Sequence, residues 1–264
     1  MLKLMFITNN PAEARIATEA GVDRIFVDLE FLGKEKRQQG RSTVISRHRL
    51  QDVSAIREHL PSAEILVRTN PMHDGSSTEV DQVVGRGADI LMLPMFACRN
   101  EVQQFIDYVG GRARICLLLE TPQAVACLPS ILGLRDGFHE VHVGLNDLHL
   151  ALGLHFMFEV VASGLVDAIA RDVLEAGLRF GFGGVGRLGT GMVPAEWVLS
   201  EHVRIGSSMV ILSRTFHESL NGNLATEIRN LRNEEYRLRR LSREELERNR
   251  VEFNRRVWRV ADGD

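Results

Sequence analysis

Residues 113–120, ARICLLLE, run apolar through ICLLL and stop on a carboxylate, and residues 140–147, EVHVGLND, repeat the pattern. Continuous apolar runs, as opposed to strict alternation, mark strands buried on both faces, as in parallel sheets. Burying an unpaired carboxylate is costly, so Glu120 and Asp147 call for a cation, a donor cluster or water where core would otherwise continue. Working outward, similar runs recur as LMFIT, DRIFVDLE, EILVRTN, DILMLPM, FGFGGVG and SMVILSRTF, which makes eight. Between them, 12–20, 47–59, 78–86, 100–109, 122–134, 158–178 and 194–203 carry helical periodicity. Pro11, Pro122 and Pro194 stand near first turns, and Gly21 and Gly87 follow last ones.

Eight such repeats in 264 residues predict one α/β domain spanning 1–264, a (β/α)8 TIM barrel. An open doubly wound sheet would want a glycine-rich turn after the first strand, and FITNNPAEA has none. In a barrel the strand C-termini open onto one face, where the chemistry is done. Two hard oxygen ligands converging there, Glu120 and Asp147, point to a divalent metal such as Mg2+ or Mn2+. The tail, about 221–262, is rich in arginine and glutamate, with Leu224, Ile228, Leu231, Leu238 and Leu241 at helical spacing and Phe253, Val257 and Trp258 as a second cluster. A helix longer than a barrel flank needs another surface for its stripe. We read it as the eighth helix plus a long C-terminal extension packing on a neighbouring subunit of a homo-oligomer.

Net charge is −3 and the sequence pI about 6.3, which supports neither a nucleic-acid nor an anionic-membrane partner. Three cysteines without CxxC spacing read as reduced thiols. The start MLKLMFITNN is too short for a signal peptide, and no run approaches a membrane span, so a cytoplasmic location is expected.

Arg68 closes the third run, where a guanidinium can hold a carboxylate in two parallel hydrogen bonds, as a 2-oxo acid or its enolate would offer. A salt bridge within the barrel mouth is the alternative. Asp28 and Glu30 share a face at the end of the second run and are candidate catalytic residues that could tune metal-bound water as the base, or pair with Arg68. Asn146 can organise the loop around Asp147, and Gly144 lets backbone approach a ligand; both are candidate substrate contacts. GGVGRLGTG, 183–191, fits no nucleotide motif and reads as a rim loop, or else as an anion cradle of backbone N–H groups. The histidines form no ligand set. His142 falls mid-strand, His48, His59 and His202 on helical surfaces, and His73 and His149 near the rim. Each reads as solvated or satisfied.

Together VDLE, VRTNP, LPMF, LLLETPQAV and VGLNDLHLALG resemble the HpcH/HpaI aldolase and citrate lyase family of the phosphoenolpyruvate/pyruvate barrels, over about Leu2 to Phe216. The resemblance implies a barrel whose eighth helix often swaps between subunits, in dimer-based oligomers such as trimers or hexamers. It implies Mg2+ or Mn2+ on the carboxylates matching Glu120 and Asp147, and an arginine matching Arg68 on the pyruvate-like moiety. It implies carbon–carbon cleavage or formation through a metal-stabilised enolate. EKRQQGR, 35–41, looks like the E-K-x-x-A-R stretch of the CoA-thioester branch, and the compact length like the 2-oxo-acid aldolase branch. The aldolase branch usually has a histidine where Phe31 stands and a glutamine where Leu118 stands; the thioester branch commonly has an aspartate in place of Phe31.

The expected function is therefore a metal-dependent lyase acting on a 2-oxo or hydroxy acid, with no base assigned. One alternative is a citryl- or malyl-CoA-type lyase using Lys34, Lys36, Arg37 and Arg41 at the rim. The other, suggested by Phe31, is a barrel that binds a ligand without catalysis.

Overall fold

Eight parallel strands close in chain order: β1 (Lys3–Ile7), β2 (Arg24–Asp28), β3 (Glu64–Arg68), β4 (Ile90–Leu93), β5 (Arg114–Leu119), β6 (Glu140–Val143), β7 (Arg179–Val185) and β8 (Met209–Leu212). The chain is a TIM barrel, as its repeats predict. The computed structural model describes residues 1–33, 48–220 and 222–263. Alternation along each strand divides two cores. Outward residues such as Ile25, Val27, Ile65 and Val67 join the helices in one large cluster. Met5, Phe26, Leu66, Met92, Cys116, Leu118 and Met209 fill the barrel itself.

The barrel floor is ionic, which the sequence reading missed. Arg24 begins β2 fully buried; its Nε meets Glu64 at 2.6 Å and its NH1 meets Glu140 at 2.8 Å. Arg179 reaches Glu140 at 3.1 Å, and Arg114 pairs with Glu64. Each buried charge thereby has opposite charges around it, the condition for carrying one in a dry interior. The plug closes the N-terminal end and leaves the opposite mouth as the place for a site.

The flanking helices include α1 (Pro11–Glu19), α2 (Leu50–His59), α3 (Ser76–Gly85) and α4 (Arg99–Val109). Where one helix is predicted over 122–134, two short ones form, α5 (Pro122–Ala126) and α6 (Leu128–Leu132), the second opened by Pro129. The end of EVHVGLND is not strand but α7 (Leu145–Ala151). The predicted 158–178 helix breaks at Gly164, whose φ of 84° is left-handed, into α8 (Glu159–Ala162) and α9 (Leu165–Glu175). Then come α10 (Ala195–Ile205), α11 (Leu224–Leu238) and α12 (Arg243–Asp262).

The tail is helical, as its periodicity predicts. It is two helices, the second started by a capping box from Ser242 and Glu245. The stripe of Leu224, Ile228, Leu231 and Leu238 is buried, with α11 against α1 and α10, while Phe253 and Val257 are buried with α12 against α10 and α8. Glu235 of α11 accepts the Leu2 N–H at 2.7 Å and ties the tail to β1. The buried residues of both clusters find cover within this chain, and Trp258 stays 42% exposed.

Two histidines are buried unlike surface residues. His202, predicted on a helical surface, stacks on Phe182 at 3.8 Å, and burial pushes it down to about 3; His142, inside the barrel, is pushed down to about 4 for the same reason. Both ordinarily titrate at 6.5, so the unfolded chain takes up their protons first as pH falls. Their stabilisation is complete above pH 6.5 and is lost as pH drops toward about 4 and about 3. Thermal melting across this range should show a steep acid loss, on the order of 3 kcal/mol for each group. A flat profile between pH 7 and pH 4 would contradict the buried neutral rings.

Candidate active site

The strand C-termini open onto a cavity of about 790 Å3. Parallel pairing of β2 with β3 sets Asp28 beside Arg68 in the ladder. Arg68 Nε and NH2 each donate to one oxygen of Asp28 at 2.8 Å, a two-pronged pair, and NH1 lies 3.4 Å from Glu30. Asp28 and Glu30 are 2% and 1% exposed. Burial opposes a charge on Arg68, yet Asp28, Glu30 and Glu120 raise its affinity for the proton above that of an ordinary arginine. Arg68 is in the salt bridge that the sequence offered as one alternative, and it also lines the cavity.

Glu120 follows β5 directly and is buried. The backbone N–H of Met95 donates to its Oε1 at 3.1 Å, and no arginine or lysine comes within ion-pair distance of it among the described residues. Burial pushes its carboxyl up to about 8; Arg68 works against this, Asp147 and Glu30 with it. Met95 holds a φ of 54°, left-handed and unusual outside glycine. Such strain persists where the surroundings enforce it, and here it aims an amide at the acid. Nothing in the residue types of LPMF marks it.

Gly144 is explained by the same acid. A Cβ there would stand 2.5 Å from Glu120 Oε2 and 2.8 Å from its Cβ, so the missing side chain makes room for the carboxylate. The close approach is thus to Glu120, and Gly144 also lines the cavity. Gly144→Ala should displace the carboxylate and weaken Mn2+ binding by about 10- to 100-fold, with the fold retained. Titration calorimetry with circular dichroism checks this, and unchanged affinity would contradict it.

Asp147 sits in the first turn of α7 and not on a strand end, with Asn146 just before it; both line the cavity. Two amides of the glycine-rich loop have acceptors within the protein. The Gly189 N–H donates to Glu196 at 2.7 Å and the Arg187 N–H to Thr215 at 3.2 Å, so these amides are spent internally. His48, expected on a helical surface, stands ahead of α2 and lines the cavity; so does His142. Arg214, opposite on the β8 side, is an exposed rim cation that the sequence reading did not single out. Lys34, Lys36, Arg37 and Arg41 lie outside the described residues.

Glu120 and Asp147 suit a hard divalent cation: one is a buried acid with a single N–H donor, the other faces the same cavity. Among the described residues no group of three or more His, Cys, Asp or Glu forms a closed metal cage. Two carboxylates with the remaining positions left to water and substrate is a usual arrangement for Mg2+.

A family model, HpcH/HpaI aldolase/citrate lyase, matches residues 3–182. A HpcH/HpaI aldolase from Desulfitobacterium hafniense DCB-2 superposes with a TM-score of 0.62 at 16% identity, covering 88% of this chain and 93% of that one. A HpcH/HpaI aldolase/citrate lyase family protein from Burkholderia cenocepacia J2315 gives 0.63 at 13% identity, with 86% and 95% covered. The citrate synthase SbnG gives 0.60 at 14%, with 87% and 94% covered. No curated protein matches the chain in sequence. No helix among the described residues is long and apolar enough to cross a membrane.

Proposed function

The chain belongs to the HpcH/HpaI aldolase/citrate lyase family, a family of lyases, and from that premise we propose that it is a divalent-metal-dependent carbon–carbon lyase acting on a 2-oxo or hydroxy acid. The observation that carries the reading is Glu120: a buried acid, charged only at a cost, beside Asp147 and Arg68 in the mouth of the barrel. Such a group favours a bound cation over an empty neighbourhood.

Glu120 and Asp147 would hold Mg2+ or Mn2+, which supplies Lewis-acid stabilisation of charge developing on a 2-oxo acid. Arg68, fixed by Asp28, presents its cationic face to the cavity, where it stabilises the same developing enolate. Phe26 lies under the Arg68 guanidinium at 5.7 Å and, with Met92 and Leu118, gives the cavity an apolar base that keeps water from screening these charges. The second substrate, a small aldehyde or oxo compound, would enter from the rim.

Exchange of the pyruvate methyl protons into deuterated water tests the reading by NMR. It should require Mg2+ or Mn2+ and stop with EDTA; absence of exchange with either metal counts against it. The CoA-thioester reading rests on EKRQQGR, and heat on titrating acetyl-CoA would favour it. We further propose a cytoplasmic homo-oligomer.

A further inference from the structure

Besides Arg68, the wall of the cavity carries one further arginine among the described residues, Arg214. It opens the short 3-10 turn Arg214–Ser219, directly behind Ser213 at the end of β8. The acids around it are engaged elsewhere. Glu218 of the same turn pairs with Arg187 at 2.7 Å, and Glu13, whose charge acts on His217, accepts from the Thr8 hydroxyl at 2.6 Å. No carboxylate lies within ion-pair distance of Arg214 among the described residues. His217 stacks on Phe6 at 4.4 Å; burial, helped by the Arg214 charge, holds its ring below the ordinary histidine range. Arg214 is thus the cation that this wall presents. Beside it, Ser213 Oγ lies 2.9 Å from Thr215 Oγ1, which also accepts from the Arg187 N–H at 3.2 Å. With Thr215 as donor in that contact, the Ser213 hydroxyl proton is left for a ligand in the cavity it lines.

Order round the barrel sets the two arginines apart. Arg68 ends β3 and Arg214 follows β8, with Glu120 after β5 and Asp147 beyond β6 on the arc between them. Arg68 is held by Asp28 and serves the pyruvate-like end in the lyase reading above. A cavity of about 790 Å3 is large for a three-carbon acid alone, so Arg214 falls to the partner that joins it.

We propose that Arg214, with the Ser213 hydroxyl, binds a carboxylate carried by the second substrate away from its reacting carbonyl, so that the acceptor is an oxo acid and not a neutral aldehyde. This rests on the lyase reading above. A guanidinium meets both oxygens of a carboxylate in two parallel hydrogen bonds. One arginine with one hydroxyl balances a single negative charge, whereas a phosphate dianion asks for more donors. Arg214 touches no reacting atom. Its part is selection: an acceptor without the anion leaves these donors to water and loses their contribution.

Condensation of pyruvate with matched acceptors tests this. Straight-chain aldehydes, the ω-oxo carboxylic acids of the same chain length and glycolaldehyde phosphate are compared, each with Mn2+. Wild type should prefer an oxo acid over its matching aldehyde by about 100-fold in kcat/KM. Arg214→Gln should shrink that preference to about threefold or less, chiefly through KM, and Arg214→Glu should reverse it. Arg214 is exposed, so both variants keep the core intact. An Arg214→Gln protein that retains the wild-type preference would overturn the proposal, as would Arg214→Glu still favouring oxo acids. A wild type without preference, or one that favours glycolaldehyde phosphate, would overturn it too. So would a wild type that exchanges pyruvate methyl protons and condenses with none of the acceptors. Wild-type protein that shows neither exchange nor condensation removes the lyase reading and this proposal with it; exchange with the wrong order of acceptors removes only this proposal.

Discussion

Glu120→Gln is expected to abolish metal binding and lower pyruvate methyl exchange by about 1000-fold or more, while the metal-free protein melts at the same temperature or higher. The two halves come from one cause. The amide has the size and shape of the acid and still accepts from Met95 N–H, so packing is kept. It removes a buried charge that faces Asp147 and Glu30. A structural acid would cost stability when neutralised; an acid kept for a cation should not. The pH dependence has a definite sign. The folded-state value is raised from 4.5 to about 8, so the stabilising proton is fully in place below pH 4.5 and is lost as pH rises through about 8. The gap between the metal-free variant and metal-free wild type should therefore widen in favour of the variant above pH 8. Melting curves at pH 6 and pH 9, with Mn2+ titrations, decide it. A destabilised variant that still binds metal would sink the assignment.

Arg68→Ala is expected to destabilise the fold by about 3–5 kcal/mol as well as removing activity, because the cation facing two buried carboxylates is lost. Arg68→Lys keeps the charge but not the planar fork that meets both oxygens of Asp28. It should retain most of the stability and lose methyl exchange by about 100-fold. Melting temperature and exchange rate measured together separate the two roles: in alanine both fall, in lysine chiefly the rate. An alanine variant as stable as wild type would mean that the Asp28 pair contributes little and that the acids there are solvated or protonated.

The site was legible where its chemistry interrupts a local pattern. Glu120 and Arg68 stood out because each ends an apolar run where another apolar residue would be ordinary. Asp147 stood out for the same reason, although the chain has already turned into α7 when it arrives. Met95 gave no such sign, since its part is played by a backbone amide and a left-handed φ, which residue type does not reveal. His48 was misplaced because its meaning lies in a contact with Asp28, twenty residues away in sequence. The ionic floor was missed because Arg24 and Glu140 look like strand-edge charges until the barrel closes and brings them to 2.8 Å.

The repeat of buried strand and amphipathic helix, and with it the barrel, was already written in the chain, since both follow from side-chain period within a few residues. It also marked Asp28, Arg68 and Glu120 at their strand ends, although Asp147 falls in α7. That Gly144 yields its side-chain volume to Glu120, that the tail's stripe is buried against α1 and α10, and that His48 joins the mouth were not readable from the local pattern. Each of those depends on strand register and closure, which bring distant residues within a few ångströms and leave no mark on the local pattern of either partner.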